Sequence, residues 1–215
     1  MFIKNHSSIP FLAILTTLTL WVPKEAVAIS IKATATGSSN PTPIVGGDLQ
    51  NGDFLIRNSI PGQPTGDGDD ERTDWLFDFS SDSNLEFFPT SSPLESALLT
   101  LTISPGITAF TTDFTGISLT QFVNISDIPG IPEVGTTGTV SIDLLDFGFT
   151  SEDIINSLDP VTDTIRWLYF DDAVVSYAEL ELKAETESVP EPTSTLGMFG
   201  LGAMALFGYK RQRCS

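Results

Sequence analysis

The densest group of potential ligands in the chain is Gly66-Asp67-Gly68-Asp69-Asp70-Glu71-Arg72-Thr73-Asp74. Asp67, Asp69 and Glu71 fall at alternate positions, the spacing by which a loop offers successive oxygens to one Ca²⁺ ion. Asp78 stands where the twelfth position of an EF-hand would fall. Arg72 occupies the sixth, where the turn needs glycine, and strand-like runs rather than helices flank the loop, so an EF-hand is excluded. Two readings remain, a calcium loop of another kind and a solvated turn. A second acidic pair, Asp171-Asp172, precedes the last strand-like run. It completes the same site if that part of the chain lies beside the loop. The sequence requires no cofactor, and calcium is its single candidate.

Trp75, Trp167, Tyr169 and Tyr177 are the aromatics a sugar-binding face would use, since rings stack on the apolar faces of pyranoses; packing into a core is the other use of such residues. Exposed tryptophans would point to the first use, buried ones to the second. The chain has one histidine, His6, and one cysteine, Cys214, both in end segments. The body between them therefore has no Ser-His-Asp or Cys-His nucleophilic site, no zinc site built on His or Cys, no disulfide and no haem attachment. A carboxylate-only hydrolase needs two acids about 5–9 Å apart with one pKa raised. The body's 26 acidic residues meet that distance by chance somewhere. The expected activity is noncatalytic.

Residues 29–189 carry five basic and 26 acidic residues, a net charge of −21. Such a body repels nucleic acid and anionic lipid and stays soluble by self-repulsion. With 40% hydrophobic residues and 15 Phe, the whole chain nonetheless has a folding composition.

The two ends read as addresses. In residues 1–28, Lys4 gives a basic start, Ile9 to Val22 an apolar stretch, and Ala26-Val27-Ala28 a small-residue cleavage site, with Ala26 and Ala28 as the two small contacts. These are the three parts of a secretory signal in order. In residues 189–215, Val189-Pro190-Glu191-Pro192 is followed by the uncharged stretch Leu196 to Tyr209 and then by Lys210, Arg211 and Arg213. As a helix, that stretch would reach about 21 Å, or somewhat more if it began at Thr193, near the lower limit for spanning a membrane. A basic end favours the cytoplasmic side, which puts the body on the far side, in agreement with the signal peptide.

This tail resembles the sorting signal of PEP-CTERM proteins. The resemblance rests on Pro190-Glu191-Pro192, the glycines 197, 200, 202 and 208 in the apolar stretch, and the basic end. It implies recognition by an exosortase, a membrane-embedded transpeptidase, and delivery of the body to the envelope or beyond. Before processing, the chain would be anchored by its C-terminal helix. Signal peptidase and exosortase are the implied partners, with extracellular polysaccharide as a further one and no nucleic acid.

Between the ends, period 2 dominates. Ile29, Ile31, Ala33 and Ala35 alternate, Phe54-Leu55-Ile56 makes a short run, and Trp75, Phe77 and Phe79 alternate with Leu76 and Asp78. So do Leu99, Leu101 and Ile103, then Val140, Ile142 and Leu144, then Val174, Ala178, Leu180 and Leu182. Alternation means strands with one buried face, and many short strands between Gly/Pro turns predict an all-β sandwich or jelly roll. Thr150-Ser151-Glu152-Asp153 is a capping-box pattern, with Ile154, Ile155 and Leu158 at helical spacing and Pro160 as a stop. It predicts one two-turn helix across an end of the sandwich. The run from Leu94 to Leu182 is also similar to β-rich bodies of PEP-CTERM proteins and to carbohydrate-binding-like jelly rolls.

The expected organisation is a signal peptide over 1–28, N-terminal strands and loops over 29–73, a sandwich core over 74–188, and a sorting and anchor segment over 189–215 with one transmembrane helix. The expected function is that of an exported, envelope-sorted protein with a structural or adhesive role in the extracellular matrix. The alternative is a carbohydrate-binding jelly-roll module with a structural calcium, its metal ligands drawn from Asp67, Asp69, Glu71, Asp171 and Asp172.

Overall fold

The computed structural model describes residues 28–106 and 113–185, without the side chains of Asp171 and Glu185. The signal segment up to Val27, the sorting motif Val189 to Pro192, the apolar stretch and the basic tail lie outside the described residues. No helix among the described residues is long and apolar enough to cross a membrane.

The strands are β1 (Ala28–Thr36), β2 (Thr42–Pro43), β3 (Leu49–Asn51), β4 (Phe54–Asn58), β5 (Glu71–Asp78), β6 (Leu94–Pro105), β7 (Phe114–Ser118), β8 (Gln121–Asn124), β9 (Gly138–Asp143), β10 (Leu158–Asp159), β11 (Thr164–Asp171) and β12 (Ala173–Glu185). The described residues contain one α-helix, α1 (Ser151–Ser157). The body is mostly β-sheet, as the alternation predicts. One sheet runs β1-β12-β6-β9; the larger runs β2-β3-β4-β5-β11-β7-β8, with β10 beside β11. Every described pairing is antiparallel.

The apolar faces of both sheets meet in one buried cluster. Ile31, Leu99, Leu101, Ile103, Leu180 and Leu182 come from the smaller sheet, and Phe54, Trp75, Phe77, Ile165 and Trp167 from the larger. Each such side chain contributes about 1.5–3 kcal/mol on leaving water. The rings of the larger sheet form a chain of edge contacts, Phe54–Trp75 at 5.4 Å, Trp75–Phe77 at 5.8 Å and Phe77–Trp167 at 5.9 Å. On the opposite face of the smaller sheet, β6 and β9 pair hydroxyls across the ladder. Thr100 meets Ser141 at 2.7 Å and Thr102 meets Thr139 at 2.8 Å. Such cross-strand pairs fix the register that keeps the leucines inside.

Two local features follow from single residues. The β3–β4 hairpin turns through Gly52 and Asp53; Gly52 has φ +62°, and a Cβ there would sit 2.2 Å from the Thr36 carbonyl oxygen. Only glycine serves at that position. At α1, Thr150 accepts from the Asp153 N–H while the Asp153 carboxylate accepts from the Thr150 N–H, which is the predicted capping box. The helix ends at Ser157, and Leu158 caps it and begins β10.

One expectation fails in detail. Alternation places Val174 on the core face of the last strand. The structure buries Val175 completely and leaves Val174 half exposed. The register shifts between Val175 and Tyr177, so Ser176 is an extra residue opposite Ile103 and Thr102. This β-bulge exchanges the inward parity from Ala173 and Val175 to Ala178, Leu180 and Leu182.

Candidate functional site

The acidic loop lies between β4 and β5 and is closed by the Ser59 N–H donating to the Asp70 carbonyl at 2.8 Å. The placement of Asp172 beside it comes from the sheet. β5 pairs with β11, so Glu71 stands opposite Asp171, and Asp172 follows at the same end. The Asp70 N–H donates to Asp172 Oδ1 at 3.0 Å. The two acidic stretches therefore do come together, as adjacent strands would bring them.

What the carboxylates do there is different from converging on one ion. Glu71 is 1% exposed, and its oxygens accept the N–H groups of Gly66 and Gly68. Burial pushes the Glu71 carboxyl above its ordinary range, and those two N–H groups pull part of the way back. Asp67 accepts from the Asp69 N–H at 3.3 Å. Asp69 is raised too, first by desolvation and then by the negative charges of Asp70, Asp172 and Asp67. Glu71, Asp67 and Asp172 thus each tie down a backbone N–H of the loop. Gly68, at φ +76°, lets the loop pass close to Val174. No group of three or more His, Cys, Asp or Glu among the described residues is placed to hold a metal ion.

The aromatics singled out by type are mostly internal. Trp75 is 3% exposed and Trp167 and Tyr169 are fully buried. Trp167 Nε1 donates to Thr115 Oγ1 at 2.8 Å, and the Tyr169 hydroxyl donates to the buried carboxylate of Asp113 at 2.7 Å. Trp75 Nε1 finds no acceptor among the described residues. Tyr177 is half-buried on the outside of the smaller sheet, where its hydroxyl donates to Glu179 at 2.7 Å. That bond and Lys32, 3.1 Å away, hold the Glu179 carboxyl below its ordinary value.

A different surface gathers chemistry that residue type alone did not indicate. Residues directly opposite in paired strands share a face. On the outer face of the larger sheet, Arg57, Arg72, Phe170, Phe114 and Asn124 form one row across β4, β5, β11, β7 and β8. The next row is Leu55, Asp74, Leu168, Gly116 and Phe122. Leu76 and Arg166 pair in a third. Five strands span about 19 Å. Phe114 stacks on Phe170 at 5.2 Å and tilts against Phe122 at 4.7 Å.

Asp74 sits in the middle of this face, its side chain 8% exposed. It accepts from Arg57 at 2.9 Å, from Arg72 at 2.7 Å and from Arg166 at 3.3 Å. These are all the arginines of residues 29–189. Beside them a groove of about 860 Å³ runs between this face and β1, with Leu55 and Leu76 as its apolar lining and Lys32 and Asp82 on its sides. Three of the body's five cations, Lys32, Arg57 and Arg166, thus line one groove, and Arg72 bonds the Asp74 carboxylate that the groove shares. The fifth, Lys183, pairs with Glu95 at 3.0 Å. The rows were not legible because their members are far apart in the chain. Arg57 and Arg166 join only through β5, and β7, β8 and β11 lack a clean alternation.

Neither the curated proteins nor the solved structures include a significant match to the chain. Residues 188–212 match the PEP-CTERM protein-sorting motif, which implies an exosortase as processing partner and an exported, envelope-sorted product. The chain is thus a PEP-CTERM sorting motif appended to an all-β body, the motif beginning three residues after the last strand ends at Glu185.

Proposed function

We propose that this chain is a noncatalytic, envelope-sorted protein whose body has a structural or adhesive role in the extracellular matrix. It leaves the cell by the general secretory route, is held by its C-terminal apolar segment, and is then recognised by an exosortase. The observation that carries the reading is the sorting motif at residues 188–212. Two features of the body support it. Trp75 and Trp167 serve the core, and the buried carboxyl of Glu71 is committed to its own loop. The body brings neither histidine nor cysteine to any chemistry.

The test is fractionation of cells producing the intact chain and a variant carrying Pro190→Ala with Glu191→Ala. The intact chain is expected in the envelope and outside the cell in a processed form. The variant is expected to accumulate unprocessed in the membrane fraction. Identical size and distribution of the two would contradict the reading. The other reading, a carbohydrate-binding module held by structural calcium, draws on one observation, that Asp172 reaches the 66–74 loop through Asp70.

A further inference from the structure

We infer that the outer face of the larger sheet binds a neutral polysaccharide chain across Phe114, Phe122 and Phe170 and into the groove beside Asp74. This rests on the matrix reading above and names the partner class of its body.

The face is two-sided in character. At the β7–β8 end it offers rings: Phe122 is 39% exposed, and Phe114 and Phe170 are half-buried in a stack with it. Rings of this kind accept the apolar faces of pyranoses. At the β4–β5 end it offers fixed donors and acceptors. The guanidinium of Arg57 uses two of its nitrogens, toward Asp48 and Asp74, and Arg166 uses one, toward Asp74. Each guanidinium has five N–H donors in a rigid fork. The remaining donors are aimed from side chains already oriented by the Asp74 anchor, so little further entropy is lost when they bond. Leu76, 52% exposed, adds an apolar surface to the β4–β5 end, opposite Arg166 and in the lining of the groove.

Charge selects among occupants. A polyanion would be repelled by a body of charge −21. A second copy would bring another −21 against it. A cationic partner would meet the only arginines of the body. An apolar protein patch would cover the Arg57, Arg72 and Arg166 donors without partners, which is costly. Here the cations Lys32, Arg57 and Arg166 and the carboxylates of Asp53, Asp74, Asp78 and Asp82 line the groove, which is therefore balanced to within one charge. A chain of hydroxyl groups is the occupant that both donates and accepts, carries no charge and presents alternating apolar faces. The roughly 19 Å width of five strands suits a polymer rather than a single sugar.

The test uses the full-length chain purified in mild detergent and electrophoresed through native gels containing soluble neutral polysaccharides (β-linked glucan, xylan and mannan) or acidic ones (alginate and polygalacturonate). Retardation by at least one neutral polymer and by neither acidic one is expected. Phe122→Ala and Arg166→Gln, both at exposed positions, should each weaken that retardation tenfold or more with unchanged melting temperature. No retardation by any neutral polymer, preference for the acidic ones, or retardation unaffected by both variants would overturn the inference. Fractionation separates this from the reading on which it rests. Both variants should be sorted and processed like the parent chain. If the parent is not sorted, the matrix reading fails; if it is sorted and does not bind, only this inference fails.

Discussion

Asp74 holds three guanidinium groups with one carboxylate that is almost out of water. Removing it leaves three like charges with no shared partner on one sheet face. Asp74→Ala is therefore expected to cost about 2 kcal/mol, read as a lower urea midpoint, because the loss includes both the hydrogen bonds and the repulsion left behind. Tyr169→Phe removes a donor from the buried Asp113 carboxylate. Losing a buried hydrogen bond costs about 1–3 kcal/mol, so a loss in that range is expected, against a few tenths for a surface Tyr→Phe change. Glu71 gives a pH signature. Its carboxyl is raised in the folded protein, so the folded state holds that proton more tightly than the unfolded chain. The stability it contributes is complete below the ordinary glutamate pKa and is lost as pH rises through the raised value. Over that window the urea midpoint of the parent chain should fall relative to that of Glu71→Gln, and a rise relative to it would contradict the assignment.

At the scale of elements, the sequence displayed most of what the smaller sheet does. The runs Ile29 to Ala35, Leu99 to Ile103 and Val140 to Ile142 alternate because one face meets the core and the other meets water, and they became β1, β6 and β9. The capping box at Thr150 was legible for a similar reason, since its partners lie within three residues. The bulge at Ser176 was not. It is a property of the β12–β6 pairing, and a strand read alone has no partner against which to count an extra residue. It makes a test: Val175→Ala should cost about 1.5–3 kcal/mol in chemical denaturation and Val174→Ala well under 1, where uninterrupted alternation requires the opposite order. β11 was hidden differently. It lies between β5 and β7, and Leu168 is buried on one face while Trp167 and Tyr169 are buried on the other, so the stretch from Trp167 to Phe170 shows no alternation. The aromatic and arginine rows that depend on β11 were hidden with it. The acidic loop was visible as a run of carboxylates, but not that these would accept the loop's own N–H groups. With Glu71 and Asp172 so committed, thermal melting at equal ionic strength is expected to give the same midpoint in Ca²⁺ and Mg²⁺. A rise of many degrees with Ca²⁺ alone would restore a calcium site to Asp67, Asp69 and Asp172.

For the whole molecule, the decisive pairing is that of the first strand with the last. β1 and β12 are antiparallel over nine residue pairs, from Ala28 opposite Glu185 to Thr36 opposite Tyr177. The start of the body and its end are therefore neighbours. Ala28, the last residue of the expected signal peptide, lies exposed at the same end of the ladder from which the chain continues to the sorting motif. A body folded in this way brings Ala28 and Glu185, its first and last described residues, to one end of one ladder. It also means that β1 protects β12: without residues 29–36, the eight residues Tyr177 to Ala184 would offer an open ladder to other chains, and such a truncation is expected to aggregate. We propose that the two end segments are addresses and that the all-β body between them is what is delivered. Intact-mass measurement on the protein recovered from the envelope and the medium tests it most directly. The expected chain begins at Ile29 and lacks Lys210, Arg211 and Arg213. A chain of the full 215 residues, confined to the cytoplasm, would contradict it.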